Sequence, residues 1–167
     1  MMDDGGGTKE EKRGTMDEGR KKKISSFREL EVYKLAFETA MEIFEISKRF
    51  PKEEQYSLTD QIRRSSRSVC TNIAEGWRKR RYEAMFINKL SDSAAEAAET
   101  QVWLDFSLKT KYIDIKTFKI MDEKYEHIFA MLANMEKMSK SFCNNRDANA
   151  GILRPSSIVS HPSEHVK

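Results

Sequence analysis

Apolar residues return every three or four positions in four separate runs, and short polar turns separate the runs. This spacing follows the roughly 3.6-residue turn of an α-helix, so each run lays an apolar stripe along one helix. The first run, over about 27–49, reads Leu30, Tyr33, Phe37, Ala40, Phe44, Ser47. The second starts near Pro51 or Ser57 and reaches about Arg78, with Leu58, Ile62, Ser65, Val69 and Ile73 on its stripe. The third, over about 82–110, carries Ile87, Leu90, Ala94, Ala97, Gln101, Leu104 and Leu108. The fourth, over about 115–142, carries Phe118, Met121, Tyr125, Ile128, Leu132, Met135, Ser139 and Phe142. Four amphipathic helices with short connections must bury their stripes against one another. The predicted fold is therefore all-α, an antiparallel up-down-up-down four-helix bundle.

Local signals agree with these limits. Ser26 followed by Glu29 reads as a capping box. Phe50-Pro51 stops the first helix, because the residue before a proline is pushed out of helical geometry. Gly76 and the basic residues after it are expected to end or kink the second helix, and Asp114 to cap the fourth. Folding the turns back predicts one layer of Phe44, Ile62, Ala97 and Ile128 and another of Phe37, Val69, Leu90 and Met135. In both layers a ring from the first helix opposes smaller side chains.

The second helix is the unusual one. Its stripe is flanked by Ser65, Ser66, Ser68, Cys70, Ala74 and Gly76, a thin face that lets neighbouring backbones come close. Arg63, Arg64 and Arg67 are predicted on the opposite side, and Arg78, Lys79, Arg80 and Arg81 follow Trp77. Residues 56–82 hold seven Lys/Arg against two acids, +5, whereas 27–55 and 83–112 are each −2. The chain's overall +3 is thus concentrated on one helix and the turn after it.

The segments Gln61-Ile62-Arg63-Arg64 and Ser68-Val69-Cys70-Thr71-Asn72-Ile73-Ala74-Glu75-Gly76 resemble the signature of the 23S rRNA intervening-sequence proteins. The resemblance extends to Phe27–Tyr33, Phe50–Glu54, Ser93 and 96–104, and covers about 27–142. Cys70 stands where a proline or small residue is expected, and Trp77 at a variable position. The resemblance implies a four-helix bundle, RNA or ribosome association, and a homo-oligomer, a ring of about five subunits (a pentamer).

Enzymatic chemistry finds little support in the residues. The histidines are His127, His161 and His165, and none belongs to a nucleophile or zinc constellation. A di-iron bundle site needs Glu-x-x-His on two helices, whereas Glu123 and His127 are four apart and no other helix has a histidine. No glycine-rich phosphate loop occurs. No enzyme activity, metal or cofactor is expected. Ser68, Asn72, Glu75 and Gln101 lie near the seams and read as structural polar residues: Asn72 and Ser68 bonding to a neighbouring helix, Glu75 pairing with Lys79.

The basic surface is the functional lead. Arg63, Arg64, Arg67 and Arg78–Arg81, with Trp77 and Tyr82 beside them, offer phosphate clamps and rings on which bases could stack. The competing reading is a protein-interaction scaffold without a nucleic-acid role. It draws on apolar residues outside the predicted stripes: Val32, Leu35, Ile43 and Ile46 on the first helix, and Phe86, Trp103 and Phe106 on the third.

Residues 1–26 and 143–167 are poor in apolar side chains and are expected to be disordered tails around a bundle of 27–142. Cys70 and Cys143 suggest no disulfide framework, and no apolar run is long enough to cross a membrane. A cytoplasmic location is the expectation.

Overall fold

A computed structural model describes residues 24–143, and the expected tails lie almost wholly outside that range. All the regular structure within it is helical. Helices α1 (Glu31–Ser47), α2 (Leu58–Lys79), α3 (Glu83–Lys109) and α4 (Ile115–Lys137) form a bundle, and a last turn, α5 (Ser139–Phe142), follows a break at Met138. Neighbours in sequence pack together, α1 also packs on α4, and α2 and α3 share the most extensive contact. Helices α1 and α3 therefore stand at diagonal corners.

Several ends follow their local chemistry. Asp114 caps α4, its carboxylate accepting from the Thr117 backbone N–H at 2.6 Å. That bond holds the Asp114 carboxyl below its ordinary pKa. After α3, Lys111 takes φ 62°. Tyr112 N–H donates to Ser107 C=O at 2.9 Å, and Lys111 N–H to Leu108 C=O at 3.0 Å. These two bonds make a Schellman cap with lysine at the left-handed position. The start of α1 differs from the capping-box expectation. Ser26 does act as an N-cap, its hydroxyl accepting from the Arg28 N–H at 3.3 Å, but of a 3-10 turn over Phe27–Glu29 that precedes the α-helix, and Glu29 accepts from the Ser25 hydroxyl at 2.5 Å.

Gly76 neither ends nor kinks α2, which continues to Lys79. A Cβ at Gly76 would sit 3.1 Å from Lys89 Cβ and 3.6 Å from Phe86 O on α3. Glycine lets the two helices approach this closely, and any side chain there would make its neighbours on α3 give way.

The stripe predicted for the fourth run lies where the sequence put it: Met121, Tyr125, Ile128, Leu132 and Met135 of α4 and Ser139 of α5 are buried, with Phe118 and Phe142 half-buried at its ends. Two other helices are rotated from their predicted faces. Helix α1 buries Val32, Ala36, Thr39, Ala40, Ile43 and Ser47, while Phe37 is 52% exposed. Phe37 thus drops out of its predicted layer, and rings of α1 do not fill the core. Helix α3 buries Phe86, Leu90, Ser93, Ala97, Thr100, Leu104 and Ser107 in place of Ile87, Ala94, Gln101 and Leu108. Val32, Ile43 and Phe86, assigned above to an outer patch, are core residues.

Hydroxyls explain both rotations. Thr39 Oγ1 donates to Leu35 C=O, Thr100 Oγ1 to Glu96 C=O and Ser107 Oγ to Trp103 C=O, at 2.7–2.8 Å. A hydroxyl satisfied by its own helix can be buried like an apolar group. Ser93 Oγ instead crosses to Val69 C=O at 3.0 Å, and the Thr100 hydroxyl lies 2.8 Å from Ser65 Oγ, which fixes the α2–α3 register.

Candidate nucleic-acid interface

The polar residues near the seams link the helices. Asn72 Oδ1 accepts from Lys89 Nζ on α3 at 3.1 Å. Lys89 also pairs with Glu75 at 3.0 Å and Asp92 at 3.1 Å. These bonds raise the lysine's pKa. Glu75 is closer to Lys89 than to Lys79, which stands at 3.9 Å. Gln101 is half-buried on the α3–α4 side, and its amide donates to Asp122 at 2.7 Å and Glu126 at 3.0 Å. Ser68 is half-buried, and among the described residues its side chain makes no bond to another helix; Ser93 and Ser65 supply the hydroxyl links instead.

The basic residues of α2 separate into three directions. Arg63 and Arg67 turn toward α1: Arg63 Nε donates to Ser47 Oγ at 2.7 Å, and both guanidinium groups lie over the Phe44 ring, 4.9 and 5.8 Å from its centroid. Cation–π attraction of this kind holds an arginine over a ring face. Arg64 is exposed on the α3 side, where its charge opposes the upward shift that burial gives the Glu96 carboxyl. Arg78 and Lys79 belong to the last turn of α2, where cations complement the helix dipole.

The expected four-residue basic loop is thus only Arg80 to Tyr82, and Arg80 is engaged. Its guanidinium lies 4.0 Å from the Trp77 ring centroid and donates to Trp77 C=O at 2.5 Å. Trp77 is only 5% exposed, so it is a core residue and no platform for a base. Tyr82 is 56% exposed, with Arg81 5.6 Å from its ring centroid.

Sequence reasoning missed a row of rings on α1 and the turn before it. Phe27 and Tyr33 meet edge to face at 4.9 Å, and Tyr33 stacks on Phe37 at 6.1 Å with 24° between planes. Arg28 lies 4.5 Å from the Phe27 centroid. The available signal was an aromatic residue at 27, 33 and 37, with Arg28 beside the first, but the stripe predicted for the first helix places Tyr33 and Phe37 in the core.

Catalytic chemistry gains nothing from the geometry. His127 is exposed on α4. Among the described residues no group of three His, Cys, Asp or Glu could hold a metal. Cys70 is buried and unbridged, and burial pushes its thiol up to about 11, which leaves little thiolate at neutral pH. No described helix is long and apolar enough to cross a membrane.

Comparison with known proteins agrees with the bundle. A solved protein of unknown function from the S23 ribosomal protein family of Bacteroides thetaiotaomicron is 29% identical, with a TM-score of 0.58; the match covers 64% of this chain and 95% of that one. No curated protein matches. The family model described as 23S rRNA-intervening sequence protein matches residues 28–134, which span the thin second helix, its arginines and the Asn72–Gly76 segment packed on α3. With three principal helices, nearly all of the fourth and most of the sequence inside that match, the chain belongs to the 23S rRNA-intervening sequence protein family.

Proposed function

We propose that this protein is a non-enzymatic RNA-associating bundle that holds phosphates through the cations of α2 and the turn after it. One observation carries the reading. Arg64 and Arg78 are exposed, and among the described residues neither stands within ion-pair distance of an acid, Arg64 acting on the Glu96 carboxyl only from farther off. Exposed cations without a salt-bridge partner on a charged bundle attract a polyanion. The family's name, which refers to 23S rRNA, makes RNA the polyanion to test first. The unbridged cysteines fit a reducing compartment such as the cytoplasm.

The test is RNA titration of an Arg64→Gln/Arg78→Gln/Lys79→Gln variant at several salt concentrations. The slope of log affinity against log salt should fall by about 2–3, because each neutralised phosphate releases counterions. An unchanged slope would sink the reading.

A second reading, a homo-oligomeric interaction scaffold, is favoured by a different observation. Phe37 and Met41 on α1 are 52% and 47% exposed, and Val102 and Phe106 on α3 are 49% and 52% exposed. Two apolar faces at diagonal corners suit a ring of copies. In that case the triple variant would leave RNA binding unchanged, and Phe106→Ser would shift the protein to smaller species in sedimentation.

A further inference from the structure

The groove between α1 and α2 combines rings with positive charge. It encloses about 430 Å³ and is lined by Phe27, Tyr33, Phe37, Met41, Arg67 and Thr71, among others. No acidic residue lines it. Arg67 is exposed there and makes no ion pair among the described residues. The rings form a short row, edge to face and then stacked, which ends on Phe37 with half of its surface open.

Apolar grooves on bundle surfaces are common, so the charge decides what this one takes. A groove for an ordinary amphipathic peptide needs only apolar walls. Here three of the lining side chains are aromatic, and the one charged side chain on the lining, Arg67, is a cation. Planar π-surfaces beside guanidinium groups match alternating bases and phosphates: bases stack on rings and phosphates meet arginines. Duplex RNA hides its base faces inside the stack, so only an unpaired strand can use the rings.

We propose that the α1–α2 groove is a docking site for unpaired, single-stranded RNA, with Phe37 as the open stacking surface and Arg67 contacting the backbone. The proposal rests on the RNA-associating role given above and names the form of RNA and the face that receives it. It also separates two tasks. Arg64, Arg78 and Lys79 would supply sequence-independent attraction, and the ring row would discriminate unpaired from paired strands.

The experiment is fluorescence polarisation with a labelled mixed-sequence RNA of about twelve nucleotides, a length within the usual single-strand site size. The same RNA annealed to its complement is the second probe. The full chain is compared with Phe37→Ala and Phe37→Trp. Phe37→Ala should weaken single-strand binding between about fivefold and a hundredfold, the range for losing one stacked base. The salt slope and duplex binding should stay unchanged, and Phe37→Trp should bind at least as well as the parent. Phe37→Trp keeps the test readable should Phe37→Ala fold poorly. Equal single-strand binding by all three proteins, or equal losses on single strand and duplex, would overturn the groove site and leave the RNA role standing. Unchanged RNA binding with a smaller sedimenting species would likewise overturn it and assign the groove to a second copy of the chain. No binding of either RNA by the parent protein would remove both readings together.

Discussion

Helix α1 is flanked by two grooves whose floors share Phe37 and Met41 but whose charges are opposite. The groove toward α4, about 680 Å³, is rimmed by Glu38, Glu42 and Glu45, with Arg49 at one end. Lys124 of α4 reaches Glu42 at 2.5 Å and Glu38 at 3.2 Å. The groove toward α2 has no acid on its lining and takes Arg67 from the neighbouring helix. A net −2 over residues 27–55 describes neither side. The acids of α1 lie on one flank, and the facing helix sets the charge of the other. Charge therefore has to be counted by groove, since a polyanion meets one flank of a helix and not its average.

This contrast depends on the rotation of α1, which buries Ile43 and leaves Phe37 outside. Ile43→Ala should therefore lower stability by about 2–5 kcal/mol in urea melts, the range for truncating a buried aliphatic side chain. Phe37→Ala should lower it by less than about 1 kcal/mol, as for exposed positions. Reversed magnitudes would mean that α1 is turned the other way and that the two grooves have been exchanged.

The width of the basic groove depends on α2 leaning on α3. Gly76→Val would place a branched side chain where even a Cβ stands 3.1 Å from Lys89 Cβ. Overpacking there should destabilise by about 1–3 kcal/mol. Movement of α2 toward α1 to relieve the clash would narrow the groove and weaken single-strand RNA binding. A variant that melts like the parent would show that α2 and α3 do not approach so closely.

The acidic flank is open to a smaller test. Burial pulls the Lys124 pKa down, but its bonds to Glu42 and Glu38 outweigh that effect and leave it raised. A folded-state pKa above the unfolded one stabilises fully below the unfolded value and loses that contribution as pH climbs through the folded value. Lys124→Gln should thus cost under about 1 kcal/mol at neutral pH, as surface pairs do. The difference from the parent should shrink as pH climbs past the ordinary lysine value and through the raised folded one. RNA affinity should not fall. A drop in RNA binding would place the nucleic acid on the acidic side and break the comparison.

The bundle and its four helices were legible because periodicity survives any local ambiguity, and α4 was legible in detail because its stripe is apolar along its whole length. The faces of α1 and α3 were not. On α1 the larger residues Tyr33, Phe37 and Phe44 drew the stripe toward themselves, while the true face is built of Ala36, Thr39, Ala40 and Ser47 around Val32 and Ile43. On α3 the series Phe86, Ser93, Thr100, Ser107 recurs every seventh residue and is wholly buried. It was passed over because hydroxyls were weighed as polar. Bonds to backbone carbonyls, within the helix for Thr100 and Ser107 and across to Val69 for Ser93, make them small core residues, and that is the physical reason size and hydropathy misplace both faces. The arginines were found, but where they turn was not. A sequence shows that Arg63 and Arg67 share a side of α2, and only the packed structure shows Phe44 beneath them.

The most direct measurement is photo-crosslinking of the full chain to a single-stranded RNA carrying 4-thiouridine, followed by assignment of each crosslink to a single residue by fragmentation of the crosslinked peptides. The account predicts crosslinks at Phe37 of α1 and beside Arg67 on α2, with none on the exposed face of α4 around Ile120. Crosslinks concentrated on α4 or along the Glu38–Glu45 flank of α1 would contradict it.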